Sequence, residues 1–592
     1  MKKRLTRLLA LLMAVILFPG GCGTAPKNQE ESGGQDEHAR FEEFSEQLFR
    51  DELLTNTLNQ HYTLAYPENY GITDYEVALP AVSLSNEQES IEEARSVLEE
   101  LASFDYDALT EDDRLTYDVL KEYLETAQER GDFYYLYEPF SPIMGFQSDM
   151  AFALSEYTFR RERDVQDYLD LLELLPTYIE SLITLEKERA ARGLAMPDSV
   201  IDEVIDSVQE LLNSGTDNIY FTSFEERLET LSELSDQQKQ EYTARNRKLI
   251  DEQLLPAYKK IVLCLKGVRG TCKKPQGLCC TENGNEYYAY LLKSTVGSGH
   301  SPEELLALLE DQISKEMTEL MTLLTQNPEL LDTIDDSIPE DRTPEEILDY
   351  LKEAIKEDYP ELPVDASYQI KYVPKYMEES TSPAFYMTPP MDLPGENTIY
   401  INKRQTDESS LFSTLAHESY PGHLYQTVYA SATLENPLRF LLNYLGYSEG
   451  WGLYVEHEAY ALNTNLTDQS EAMAEFYRIN SSITIAIHAL LDLKIHYEGC
   501  SLEEASEIIA MYFGDQGEEF CQTLYNTIVS EPAYYLKYYV GYLEFLLLRE
   551  KAEAKLESAF DLKEFHKFLL DMGPCSFPML DRYMEKWLEE QK

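Results

Sequence analysis

From about residue 41 to its end, the chain repeats apolar residues at helical spacing and seldom alternates them as a strand would. "IEEARSVLEELASF" (91–104) sets Ile91, Ala94, Val97, Leu98 and Leu101 on one stripe. The stretch 165–194 does the same, with Pro176 marking a kink or a break. At 301–324, Ser301 reads as an N-cap, Pro302 as the first helical residue and Glu304 as the partner that completes a capping box. Exceptions are few. "NTIYINKR" (397–404) is β-branched and aromatic and reads as a short strand, and residues 361–378 offer one or two more. The expected class is mainly α, with a small sheet near residues 365–405.

The N-terminus reads as an export signal. Lys2, Lys3, Arg4 and Arg7 precede an apolar run (8–18) that is too short to span a bilayer but suits a signal peptide. "PGGC" follows, so residues 1–21 resemble a bacterial lipoprotein signal, with Cys22 as the lipidated first residue of the mature chain. Pro19 stands where an aliphatic residue is usual, which leaves plain secretion open. Residues 22–40 are polar and aperiodic, the composition of a flexible tether. The helical domain is expected over 41–590, and no later stretch is apolar enough to cross a membrane.

With 109 acidic against 49 basic residues, the formal charge is −60. Such a surface repels nucleic acid and anionic headgroups, so membrane contact is expected only through the N-terminal lipid. The charge is read two ways, as serving solubility alone or as a field that favours cationic or neutral substrates. Seven cysteines remain after Cys22, an odd number that cannot all pair within one chain. Cys272 with Cys279 or Cys280 brackets a loop that a disulfide would close in an oxidising compartment.

Histidine is concentrated in one region: of nine in the chain, five lie between 417 and 496. Two of them bound "HESYPGH" (417–423), six residues apart instead of the four that a His-Glu-x-x-His zinc helix requires. On an unbroken helix, His423 would sit about 240° around from His417, and the two rings would not share a metal. Pro421 and Gly422 lie between them, however. A proline without an N–H and a glycine with free backbone angles favour a bulge or turn that brings both rings to one side. "DESSLFSTLAHE" (407–418) reads as the helix leading into that turn. A catalytic zinc site needs three protein ligands and an open position, and Glu449, opening a second helix after Ser448 as cap, completes a His₂Glu set. Glu418 beside the first ligand is the expected general base, and Glu456, two turns after Glu449, is placed to hold a ligand histidine from behind.

"AHESYPGHLYQ" (416–426) together with "SEGWGLYVE" (448–456) resembles the bacterial domain-of-unknown-function 885 family, whose members carry His-Glu-x-x-Pro-Gly-His and then Glu-Gly-Trp-x-x-Tyr-x-Glu. The likeness runs on through "DLKIHYEGCSLEEA" (492–505) and "YLKYYVGYLEFLLLREKAEAKL" (535–556), and covers most of 41–590. It implies a helical zinc-peptidase fold akin to the angiotensin-converting and thimet oligopeptidase group. There, two helical halves enclose a deep substrate cleft, and a strand beside the zinc pairs with substrate backbone. "TIYIN" (398–402) would be that strand, with Tyr400 on the substrate side. The family's ligands fall on His417, His423 and Glu449, and its catalytic acid on Glu418. Tyr538 matches the tyrosine of the family's Tyr-x-x-Gly and is the expected oxyanion donor. His496 is read two ways, as a group orienting substrate or as a histidine held by Asp492.

The reading is a zinc-dependent peptidase, one ion per chain, acting on short extracellular peptides; exo- and endo-action are both compatible with it. A non-catalytic surface lipoprotein that captures metal or peptide is the alternative, and Glu418 discriminates, since a binding site has no need of an unliganded carboxylate. A glycosidase built on two carboxylates leaves the clustered histidines without a role.

Overall fold

The computed structural model describes residues 37–330, 340, 342–373, 378, 382–405, 410–467 and 471–591. The signal, Cys22 and most of the tether lie outside the described residues. The first helix, Glu37–Leu53, begins four residues before the boundary expected at 41 and buries Phe41, Leu48 and Phe49. The described residues fall into two compact units. One holds residues up to 290 with 436–441 and 495–532; the other holds 291–435, 442–494 and the chain from 533 onward.

In the first unit, the helix Glu162–Arg192 runs through Pro176 without a break. Its apolar stripe explains why the missing hydrogen bond is tolerated: Leu172, Leu175, Ile179 and Leu182 on either side of the proline are fully buried. They share a core with Val200, Ile201 and Val204, and with Tyr258, Ile261 and Leu265. Arg189 near the helix end is 0% exposed, but its charge is satisfied. Glu186 and Glu138 pair with it at 3.0 and 2.6 Å, and the carbonyls of Tyr135, Tyr137 and Leu194 accept its remaining donors.

The second unit is also mainly helical. Ser301 and Glu304 form the capping box read from the sequence, and the helix Pro302–Gln326 follows. Three short strands, β1 (Tyr368–Tyr372), β2 (Ala384–Met387) and β3 (Asn397–Ile401), make one sheet in the order β1-β3-β2. β3 pairs parallel with β1 and antiparallel with β2. "TIYIN" is therefore the central strand, with both edges already used, and is not the substrate-pairing edge. Tyr400 is likewise a packing residue. It is 2% exposed, stacks on Phe385 at 4.7 Å and 6°, and has its hydroxyl 3.2 Å from Lys371 Nζ. Among the described residues, the edge away from β1 belongs to β2 and carries no paired strand, although its Tyr386 N–H is taken by Glu418.

Two helices of this unit, Leu445–Leu462 and Tyr534–Leu556, approach until their backbones touch, because glycines face each other. A Cβ on Gly450 would lie 2.4 Å from the Gly541 carbonyl carbon, and one on Gly541 would lie 2.2 Å from the Gly446 oxygen. Only hydrogen fits there. Asp492, fully buried, accepts from the backbone N–H of Ala533 at 3.1 Å and so anchors the start of the second of these helices.

Candidate metal centre

The helix Leu411–Glu418 stops at the motif and a new one, His423–Thr433, starts at the second histidine. Between them the chain turns through a cis Tyr420–Pro421 bond. The turn is tied locally: Gly422 N–H donates to the Ala416 carbonyl and Tyr425 N–H to the Ser419 carbonyl, both at 3.0 Å. A Cβ on Gly422 would stand 1.7 Å from the His417 carbonyl oxygen, so this position admits glycine alone. Trp451 Nε1–H donates to the Pro421 carbonyl at 2.9 Å and fastens the turn to the helix that carries Glu449. The two rings, six residues apart in sequence, end with centroids 4.8 Å apart and planes at 84°.

Glu449 completes the group. One ligand atom from each of His417, His423 and Glu449 lies within 4.8 Å of the others. Glu449 Oε2 is 3.7 Å from His417 Nε2 and 3.5 Å from His423 Nε2. Zinc bonds of about 2.0–2.1 Å at tetrahedral angles put neighbouring ligand atoms roughly 3.3–3.4 Å apart, so both separations fit a small divalent cation. Two imidazoles and a carboxylate form one of the donor sets that zinc takes at open, catalytic sites. The helix, however, begins at Leu445, not after Ser448: Ser448 N–H already donates to the Tyr444 carbonyl, and its hydroxyl bonds Asn443. Glu449 therefore lies inside the helix, where its backbone is fixed.

Surrounding groups hold these three. Glu456 Oε2 is 3.0 Å from His417 Nδ1, which orients the ring and leaves Nε2 toward the other ligands. Burial opposes a charge on His417, but hydrogen bonds to Glu449 and Glu456 and the charge of Glu418 outweigh it and lift its pKa well above the usual value. Burial likewise disfavours the Glu449 carboxylate, but Lys537 and the two histidines hold it well below the ordinary range. Lys537, with Nζ 3.8 Å from Glu449 Oε1 and a side chain 5% exposed, was not anticipated from the sequence. Nor was Gly452, where a Cβ would stand 2.6 Å from His417 Nε2. A glycine inside a helix, against its propensity, was the available signal.

Glu418 is buried beside the triad and outside it. Its Oε2 accepts the Tyr386 N–H of β2 at 2.8 Å, and burial raises its pKa. The Tyr538 ring centroid is 6.4 Å from that of His417, and burial with the nearby Glu449 charge keeps the phenol protonated. His496 is elsewhere. It belongs to the first unit and is fully buried. Nδ1 accepts from Leu278 N–H at 3.3 Å and Nε2 donates to the Ile528 carbonyl at 2.7 Å. Burial pushes its pKa down to about 4, so it is a neutral structural histidine, held by backbone and not by Asp492. The disulfide that the sequence allowed is not formed. Cys272, Cys279 and Cys280 are free, and even the adjacent Cys279 and Cys280 sulfurs are 4.0 Å apart, against about 2.05 Å for a bond.

Two solved structures share this fold. "The crystal structure of the putative lipoprotein from Colwellia psychrerythraea" is 19% identical, with a TM-score of 0.79 over 94% of this chain and 100% of that one. A "putative lipoprotein of unknown function from Shewanella oneidensis" is 17% identical, with a TM-score of 0.62 over 93% and 100%. No curated protein sequence matches the chain. The family model described as "Bacterial protein of unknown function (DUF885)" matches residues 67–584, nearly the whole described chain, and the histidine-glutamate-glycine pattern around the triad lies within it. The chain belongs to that family.

Proposed function

We propose that the chain is an exported, lipid-anchored zinc peptidase that cleaves short peptides. The observation that carries this reading is the convergence of His417, His423 and Glu449 with a further carboxylate, Glu418, beside them and outside the ligand set. Zinc bound by the three supplies Lewis-acid polarisation of a carbonyl and of water. Glu418 accepts the proton that the attacking water loses and returns it to the leaving amine. Its fixed hydrogen bond to Tyr386 aims it for that task. Tyr538, held neutral, donates to the oxygen that gains charge as the carbonyl is attacked. β2 supports a peptide substrate: its outer edge reaches Glu418 through Tyr386, so an extended chain added along that edge lies beside the general base. The net charge of −60 favours cationic and neutral peptides and disfavours nucleic acid. Export and the lipid anchor rest on the signal at 1–21 and on Cys22. Among the described residues, no helix is long and apolar enough to cross a membrane.

A peptide-library digest with and without chelator, on the parent and on Glu418→Gln, tests the reading. Zinc-dependent cleavage should appear in the parent. The variant should keep its zinc and lose about 10²–10⁴-fold in turnover, since the amide accepts no proton. Zinc binding without cleavage in the parent would favour a capture protein.

A further inference from the structure

The second unit contains a cavity of about 500 Å³, within the range of small-molecule sites. Its wall is mixed: Leu362, Pro363 and Val364 give it an apolar part, and the largely buried Tyr359, Tyr420 and Tyr425 border it. None of these belongs to the metal triad, yet Tyr420 lies midway between His417 and His423, and Tyr425 follows His423 by two residues.

The rim is basic, in a chain with more than twice as many acids as bases. Lys352, Lys356 and Lys563 line the cavity against two acids, Glu361 and Asp365. The carboxylate partners of these ammonium groups face solvent. Lys352 meets Asp365 at 3.4 Å, but that carboxylate's side chain is 94% exposed. Lys356 pairs with Glu353, itself 70% exposed. Lys563 donates to the Lys356 carbonyl at 2.7 Å and has no carboxylate within ion-pair distance among the described residues. Exposed pairs of this kind are weakly held, so the lysines are available to a ligand's anion.

We infer that this cavity binds a small carboxylate carrying an apolar body, and that its occupancy is transmitted through Tyr420 to the turn that joins His417 and His423. The path is short. Tyr420 borders the cavity but is 1% exposed, so its ring is packed on nearly every side and shifts only together with the turn. The next residue's carbonyl holds the Trp451 indole at 2.9 Å, and that indole lies 6.1 Å from the cavity wall at Tyr359. Trp451 is one of only two tryptophans, so its fluorescence reports on the cavity and the turn together.

The experiment titrates 3-phenylpropionate, N-acetylphenylalanine and the neutral 3-phenylpropionamide into the full chain, metal-free and zinc-loaded. It follows tryptophan fluorescence and the rate of zinc release to a chelator. At least one acid should bind the metal-free protein saturably, and the amide about tenfold or more weaker, because it lacks the charge-assisted bonds. The double variant Lys352→Gln, Lys563→Gln, altered only at the cavity rim and checked by circular dichroism, should lose about tenfold in acid affinity. The acid should change zinc release severalfold in the parent and leave it unchanged in the double variant. Binding of both acids supports a general apolar carboxylate, and binding of N-acetylphenylalanine alone supports a peptide-derived one. Equal binding of acid and amide would overturn the inference. So would acid binding seen only with zinc present, which places the carboxylate on the metal, or a double variant that behaves like the parent. No outcome depends on peptidase activity.

Discussion

Replacing Gly452 with alanine should empty the metal centre while leaving the fold intact. Gly452 sits in the interior of the helix Leu445–Leu462, and a Cβ there would stand 2.6 Å from His417 Nε2 and 2.7 Å from Cε1. Ordinary contact begins at 3.4 Å, so the ring must retreat by about 0.8 Å at the nitrogen that faces Glu449 and His423. Zinc–ligand distances tolerate only about ±0.2 Å, so the displaced nitrogen leaves the coordination sphere or drags Glu456 with it. Disturbing a ring's support alone costs 10–100-fold in metal affinity, and this change displaces the ligand itself, so a loss of about 100-fold or more is expected. Helix propensity works the other way: alanine is favoured over glycine by about 1 kcal/mol in a helix interior, which offsets the local crowding. Chelator competition with elemental analysis measures the first effect, and urea unfolding of the metal-free protein measures the second. Gly450→Ala is the control, because its Cβ would meet the Gly541 backbone at 2.4 Å, where no side chain can yield, and it should destabilise the fold. A Gly452→Ala protein that binds zinc with parental affinity would refute the assignment of His417 Nε2 as a ligand atom.

His417→Ala or His423→Ala should each abolish stoichiometric zinc, since two ligands hold it poorly; full zinc in both variants by elemental analysis would remove the site. Stability should fall as the pH drops from about 6.5 toward 4. Burial depresses the pKa of His496 to about 4 and of His566 to about 3, so the unfolded chain takes up protons that the folded one refuses. The contribution is therefore complete above pH 6.5 and declines by up to about 1.4 kcal/mol per pH unit for each histidine. Calorimetric melts across that range should show a shallower slope for His496→Gln than for the parent, and equal slopes would remove His496 from the effect.

Local signals were legible and distant ones were not. Ser301, Pro302 and Glu304 specified a helix start within four residues, and the structure forms that cap as read. The two histidines and Glu449 were legible because Pro421 and Gly422 broke a helix in a way that suited them. Ser448 misled because a serine before a glutamate looks like a cap, whereas the helix had already begun at Leu445. The role of "TIYIN" was misread for a different reason. Edge or centre depends on whether another segment pairs with it, and β2, four residues long, gave little alternating pattern. Lys537 and Tyr386 reach the site from segments far from the motif, so only the fold shows their proximity to Glu449 and Glu418. His496 lay in the histidine-rich window by sequence but belongs to another core, where backbone groups occupy both its nitrogens.

The turn itself is the last test. Deleting Ser419 and Tyr420 gives His-Glu-Pro-Gly-His, the four-residue spacing of an ordinary zinc helix, and on spacing alone the site should survive. The structure argues otherwise. Ser419 supplies the carbonyl that Tyr425 N–H uses, and its own N–H ends the preceding helix on the Leu415 carbonyl at 2.9 Å. Gly422 N–H reaches back to Ala416 only because the chain doubles on itself between them. Pro421 presents its carbonyl to Trp451, and that bond ties the turn to the helix of Glu449. Shortening the segment by two residues rotates the following helix by about 200°, which turns the buried faces of Leu424, Tyr425 and Val428 away from their partners. The same packing makes Gly422→Val a disruptive change and not a mild one. Any Cβ at 422 strikes the His417 carbonyl at 1.7 Å, so the turn cannot form around it. Both variants should therefore lose zinc together with a fall in melting temperature, measured by elemental analysis and calorimetry on the same samples. A deletion protein that melts like the parent and holds one zinc would mean that four-residue spacing is enough and that the turn is not needed to bring the two imidazoles together.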